Sequence, residues 1–378
     1  MKDLSAELRR TVKSLRYPEP TVAVIGDLNY DVIVISPPLE PGRRATTREV
    51  HRCLGGAAGV TACGLARLGA SVRLVGCVGG GCDGRELTAE LQKRGVDCTE
   101  LQDAGGGTSQ RARGTRPGRG GETDPWARKP AKTGQAGAGD PFSLIFTQTG
   151  EPVPRQVATF RGVLETFSLR GRAPGRLLRG CTAVYACNYF IMPALREDIG
   201  RLFAAARRAG LLTSYDANAG DGWTDPSQLR TLTDGILPDT DVVFLNDDEA
   251  VHLGGQRDAR RSIGELCPAA RILVIKRGAA GALLRSGGKV WEVGAFPPGE
   301  AVKDTVGAGD SFQACFLYFL LRGVAAERCT LLAAAAASAT LRYHGGTEGQ
   351  LDRSGLEGYL ARYRVLDCGD GRLVVQPF

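Results

Sequence analysis

From Thr21 to Gly95 the chain alternates short apolar runs with helical segments, and this alternation restricts the fold more than any other feature. "TVAVIGDLNYDVIVI" reads as an apolar strand, a glycine break and a second strand-like run through Val32, Ile33, Val34 and Ile35. "AAGVTACGLARLGA" is a small-residue helix closed by Gly69, "SVRLVGCV" is another buried strand, and "GRELTAELQKRG" is an amphipathic helix stopped at Gly95. The rhythm returns with "TAVYACNYF", "REDIGRLFAAARRAG", "LLTSYDAN", "DVVFLNDDEA" and "ILVIKRGAAGALLRSGGKVWEV", then closes on two apolar helices, "TVGAGDSFQACFLYFLLRG" and "ERCTLLAAAAASATLRYHGG". Such alternation predicts an α/β fold, a central and mostly parallel sheet flanked by helices on both faces.

The domain is expected to run over 21–368. It is preceded by an N-terminal arm, 1–20, whose short helix ends at Pro18 and Pro20, and followed by a C-terminal tail, 369–378. The stretch 103–141 breaks the rhythm. It is rich in Gly, Pro, Arg and Lys, with Trp126 its one large apolar residue, and is expected to be a disordered basic insertion, because it can bury too little to offset its ordering entropy. "FSLIFTQTGEPVPRQVATFRG" then reads as a hairpin around Thr149 and Gly150.

Much of the net charge of +7 falls in that insertion and not on one helix or face, so no nucleic-acid partner is expected. The longest apolar run, "FLYFLL", is too short for a bilayer and the first twenty residues lack a signal core, so no membrane partner is expected and the cytoplasm is the expected location. The 11 cysteines form no Cys-x-x-Cys pair and read as reduced thiols.

Two glycine-rich turns compete for a phosphate. "VGGGCDG" sets Gly79, Gly81 and Gly84 at dinucleotide spacing between a strand and a helix, which would suit an oxidoreductase. Its strand is not the first of the fold, however, and the nearby acids Asp97, Glu100 and Asp103 lie less than the usual ~20 residues on, with no clean second strand expected to end at any of them. "KDTVGAGDSF" carries more. The apolar run from Phe312 to Leu321 predicts a helix, so Gly307, Ala308 and Gly309 sit at its N-terminus, where unpaired N–H groups and the positive dipole end make an anion hole from main chain. Asp310 stands where a phosphate loop has lysine, and reads as a general base toward an attacking hydroxyl. The helix dipole is expected to lower its pKa. The plainer reading is a helix-capping aspartate.

"DTVGAGDSF", "GDLNYD", "GGAAGVTACGLARLGA" and "NDDEA", in that setting, resemble the PfkB or ribokinase-like carbohydrate kinases from about Thr21 to about Gly346. The resemblance implies a ribokinase-like fold with a small β-lid, its strands near 33–50 and 143–161, and ATP-dependent phosphoryl transfer to a sugar hydroxyl. It implies Asp310 as base and the backbone of Gly307, Ala308 and Gly309 on the transferring phosphoryl. Asn246, Lys276, Gly278, Gly281, Asp304 and Thr305 would line ATP, and Glu249 would reach Mg²⁺ through water, with a monovalent cation as a further candidate. Asn29 and Asp31 would hold sugar hydroxyls, and Gly55 and Gly56 would let the sugar lie against main chain. A homodimer through the lid is also implied. The alternatives are a nucleoside kinase of the same fold and a non-catalytic ligand-binding member.

Several positions depart from the family pattern. Val60 stands where Asn is usual, Gly81 stands where Asp is usual with Asp83 two residues on, and Gly220 replaces an arginine after "DANA". Cys315 stands where a smaller residue is usual. These changes concern mostly the acceptor side, so the sugar's identity is the open question.

Overall fold

The computed structural model describes residues 1–15, 17–37, 42, 44–47, 49–104, 139–147, 155–219, 226–255 and 258–378. Most of the insertion, the Thr149–Gly150 turn and Gly220 lie outside the described residues. In chain order the strands are β1 (Lys2–Asp3), β2 (Thr21–Ile25), β3 (Asn29–Ile35), β4 (Glu49–Gly55), β5 (Ser71–Val78), β6 (Val96–Asp103), β7 (Phe142–Thr147) and β8 (Gln156–Phe160). They continue as β9 (Ala183–Cys187), β10 (Leu212–Asp216), β11 (Val242–Asn246), β12 (Ile272–Lys276), β13 (Ala282–Ser286), β14 (Lys289–Val293), β15 (Tyr363–Asp367) and β16 (Arg372–Pro377).

Among the described residues, twelve strands form one sheet in the order β1-β15-β16-β14-β13-β12-β11-β10-β9-β2-β5-β6. Its part from β6 to β12 is parallel throughout, and β13 and β14 continue it as an antiparallel meander. Both faces of the parallel strands are covered, which explains their continuous apolar runs. Successive residues enter opposite layers. Val22, Val24, Val242 and Phe244 face the core under the helices Ala57–Leu68, Ala308–Leu321 and Ala326–Thr340, where Phe244 meets Phe316 edge to face at 5.3 Å. Ala23, Ile25, Val243 and Leu245 face the other core, under the helix Arg196–Arg208.

The chain runs from β2 outward to β6, then returns to lay β9 on the opposite side of β2. Loops leaving β2 and β9 therefore diverge at their C-terminal ends and open a crevice there. Four further strands form a separate sheet, β4-β3-β7-β8, beside that crevice. This is the expected lid. Its β3–β4 and β7–β8 pairs are antiparallel and its central β3–β7 pair is parallel.

Both expected tails belong to the fold. β1 pairs with β15 at the sheet edge, and Leu4, just before the first helix, Ser5–Lys13, and Leu8 and Val12 within it are buried against the core. At about 1.5–3 kcal/mol for each such side chain, that segment contributes several kcal/mol and is not an arm. β16 lies between β15 and β14, so residues 372–377 are an interior strand and not a tail. β1 is too short to leave a local pattern, and β16, although it forms a hairpin with β15, owes its interior place to β14, far away in sequence.

Candidate active site

The crevice gathers one residue from each of several strand ends. Asp27 follows β2, Asp216 ends β10, Asn246 ends β11 and Lys276 ends β12, while the N-terminus of the helix Ala308–Leu321 faces them. Gly307 is the residue before that helix, with φ 72°, and a Cβ there would lie 2.2 Å from Gly346 Cα. Only glycine satisfies both demands. The Ser311 N–H already bonds the Gly307 carbonyl, at 2.9 Å, and the N–H groups of Gly309 and Asp310 have no acceptor among the described residues. Of the expected donors, the Ala308 N–H bonds the Thr305 carbonyl at 3.4 Å, which leaves the open N–H groups of this helix tip at Gly309 and Asp310.

Lys276 supplies a cation beside it. A Cβ on Gly309 would stand 3.5 Å from Lys276 Nζ, which is 3.1 Å from Asp216 Oδ1. Gln313, one turn beyond Asp310, donates from Nε2 to the other oxygen of Asp216. Burial pushes the Asp216 carboxyl up, and Lys276 pulls it back. Lys276 is itself held above the usual lysine range by Asp216 and Glu249, which outweigh its desolvation.

Asp310 shows no capping bond among the described residues, so the plainer reading of this residue fails. Its pKa also moves opposite to expectation, up to about 8. Burial is the largest cause, followed by Asp216; Lys276 opposes them, and Asp27 and Asp31 add to the rise. A helix dipole contributes roughly 1 kcal/mol or less, under one pKa unit, and is outweighed. The carboxylate is therefore a stronger base than its position alone implies. The sign for stability follows. Raised above its unfolded value near 3.8, Asp310 contributes stability that is fully present below that value and lost as pH rises through about 8. On the general-base expectation for Asp310, activity runs the other way, since a base must be ionised to accept a proton. We expect kcat/KM of the ligand-free enzyme to climb up to tenfold per pH unit toward about 8 and then level off; a profile flat from pH 6 to 9 would contradict it.

The four residues expected on the acceptor side meet at the stem of the lid. Asn29 pairs with Gly55 in the β3–β4 register, and Asn29 Nδ2 donates to Asp31 Oδ1 at 2.8 Å and Ser143 Oγ at 3.1 Å. A Cβ on Gly55 would fall 2.3 Å from Asp31 Cγ, and one on Gly56, at φ 81°, would fall 2.9 Å from Asn29 Oδ1. Burial pushes Asp31 up to about 7, Asn29 opposing and Asp27 and Asp304 adding. Asp27 is buried and accepts from Ala58 N–H at 3.2 Å.

The remaining expected residues each have a defined place in the backbone. Asp304 accepts from the Val306 and Gly345 N–H groups, both at 2.9 Å, so its carboxylate ties the loop before the helix Ala308–Leu321 to Gly345, while Thr305 stays exposed. Gly278 and Gly281, at φ 53° and 84°, make the β12–β13 turn that follows Lys276. Asn246 and Glu249 form a reciprocal capping box at 2.8 Å, and the second Glu249 oxygen accepts from Ala219 N–H, also at 2.8 Å. With both oxygens engaged and the residue 1% exposed, Glu249 does not fit a magnesium ligand, direct or through water. Its carboxyl is instead pushed up by burial and by Asp216.

The competing glycine turn is already filled. A Cβ on Gly79 or Gly81 would lie 2.1 or 2.2 Å from an oxygen of Asp140, so the chain's own carboxylate occupies the place a dinucleotide phosphate would take. Val60 packs inward, with its methyl carbons 2.8 and 2.9 Å from where a Cβ on Gly346 would stand, and so backs the contact between Gly346 and Gly307. Sequence reasoning missed Asp216 and Gln313. Asp216 opens the "DANA" run and could have been found there; Gln313 carries only its i+3 spacing from Asp310.

A family model described as pfkB family carbohydrate kinase matches residues 19–123 and 147–353. The 2-dehydro-3-deoxygalactonokinase of Haloferax volcanii is 32% identical over 156 residues, 40% of this chain and 48% of that one. The fructokinase of Salmonella typhimurium is 27% identical over 299 residues, 78% and 83% of the two chains. The match spans about half the length of the first of these relatives. Among solved structures, Arabidopsis thaliana ribokinase complexed with ribose and ATP superposes with TM-score 0.68 at 20% identity, covering 91% of this chain and 99% of that one.

Proposed function

The chain belongs to the pfkB family of carbohydrate kinases, and on that premise we propose that it transfers the γ-phosphoryl group of ATP to a hydroxyl of a sugar or sugar-like acceptor. One observation carries the reading: the Asp310 carboxyl stands on the first turn of a helix whose open N–H groups and neighbouring Lys276 can receive phosphate, and burial there, with Asp216 beside it, pushes that carboxyl up to about 8. In the step, the acceptor oxygen bonds to the γ-phosphorus and the bond from that phosphorus to the ADP oxygen breaks. The hydroxyl proton passes to Asp310, and ADP leaves with the electron pair. The backbone of Gly307, Ala308 and Gly309 and the Lys276 ammonium meet the charge on the transferring group. Asn29 and Asp31 orient the acceptor, and Gly55 and Gly56 leave room for it to lie against main chain. Closure of the lid excludes water that would otherwise compete as acceptor.

The relatives' names favour ketodeoxy sugar acids and fructose as acceptor classes. Val50, Phe142 and Phe160 stay exposed on one face of the lid and support pairing of two copies there. A panel of hexoses, ketodeoxy sugar acids and nucleosides in an ADP-release assay tests the reading. Turnover with a sugar or sugar acid is expected. Turnover with nucleosides alone would move the chain to the nucleoside alternative, and ligand-induced stabilisation with no ADP from any acceptor would make it a binding protein.

A further inference from the structure

The chain has three histidines, at 51, 252 and 344, and the fold brings two of them together. His51 lies on β4, the edge strand of the lid, and His344 lies in the loop after the helix Ala326–Thr340. Their rings stack with centroids 4.2 Å apart and planes 14° from parallel. Glu49, two residues before His51 and so on the same face of β4, completes the group: its Oε1 is 2.9 Å from His51 Nε2 and 3.6 Å from His344 Nε2. Each of the three offers one ligand atom, all within 4.8 Å of one another, and among the described residues this is the one such cluster. His344 Nδ1 is moreover buried with no hydrogen-bond partner.

We propose that Glu49, His51 and His344 form a site for a divalent transition-metal ion of the zinc class, placed to clasp the lid to the body. Two imidazoles and one carboxylate are a donor set that zinc takes with a fourth position left open. Zinc holds such ligands at about 2.0–2.2 Å, so the three atoms must draw together by roughly 1 Å. Nearly parallel rings aim their nitrogens side by side, and capture therefore needs one ring to turn. His51 can do this from an edge strand, its side chain being 36% exposed against 18% for His344.

The seam is close to the chemistry. Cys53, on the same face of β4 as His51, sits where a Cβ on Gly345 would lie 2.6 Å from its Sγ, and the Gly345 N–H is the one that holds Asp304. An ion joining β4 to His344 thus opposes the separation of the lid from the loop that backs Gly307. This consequence for lid motion needs no assumption about the reaction.

Cobalt(II) titration of the full chain tests the site, because its absorption separates nitrogen and oxygen donors from the chain's cysteine thiolates. One equivalent with weak visible bands and no thiolate charge-transfer band is expected. His51→Ala and His344→Gln should each weaken affinity by more than about tenfold, the scale seen even for loss of outer partners of metal sites. Zinc should slow amide exchange of residues 49–55 in the wild type and not in Glu49→Gln. Equal melting temperatures without metal would establish that the variants fold. Unchanged cobalt affinity in both histidine variants, or a dominant thiolate band in the wild type, would overturn the proposal.

Discussion

Asp310→Asn lowers turnover by about a thousandfold while ATP affinity stays within a few-fold of wild type. The magnitude is that of a positioned general base, about 10²–10⁴. The amide keeps the shape of the helix tip and leaves the free N–H groups of Gly309 and the residue at 310 in place, so the phosphate contacts persist. The variant also removes a carboxyl that repels Asp216 and, more weakly, Asp27 and Asp31. Its melting temperature should therefore gain on that of the wild type as pH rises from 5 to 9. Single-turnover kinetics beside nucleotide titration separate the two effects. Turnover within threefold of wild type would remove the proton-accepting role from this residue.

Lys276→Met is expected to be the most destabilising single change in the crevice. Lys276 is the cation bonded to Asp216, whose carboxylate is 2% exposed, with Glu249 and Asp310 close enough to act on the same charge. Breaking a buried pair from one side costs about 3–5 kcal/mol, because the remaining charge is left without compensation. The double variant Lys276→Met with Asp216→Asn should recover much of that loss, since no buried charge is then left alone. Denaturant midpoints of the three proteins settle the matter. A single variant as stable as the wild type would mean that the ammonium is held elsewhere. In the same variant the pH profile of residual activity should move to higher pH, as Lys276 is the group that opposes the rise at Asp310.

The strands and helices of the parallel core were readable because each carries its own pattern. A buried strand such as "TVAVI" must be apolar on both faces, and a helix such as "GRELTAELQKRG" must repeat its apolar face about every 3.6 residues. The helix tip at 307–310 was readable for the same local reason: small residues before an apolar helix leave free N–H groups wherever that helix is placed. Glu249 was misjudged because an acid at the third position of a helix looks alike whether it reaches outward to an ion or back to its own cap. Gly79, Gly81 and Gly84 were correctly set aside as a cofactor turn, but that Asp140 fills them could not be read from spacing.

What the chain order alone determined is the strands and helices of the parallel core, the small-residue helix tip and the carboxylate upon it, since these depend on residues within a few positions of one another. What only the tertiary structure decided is the company that carboxylate keeps. Asp216 meets Lys276 from 60 residues away and Gln313 from 97, and His51 reaches His344 across the lid seam. Those meetings follow from which strand ends the sheet sets side by side, and the rise of Asp310 to about 8 follows from them, because enclosure and neighbouring charge are properties of the packed crevice and not of any local run of residues.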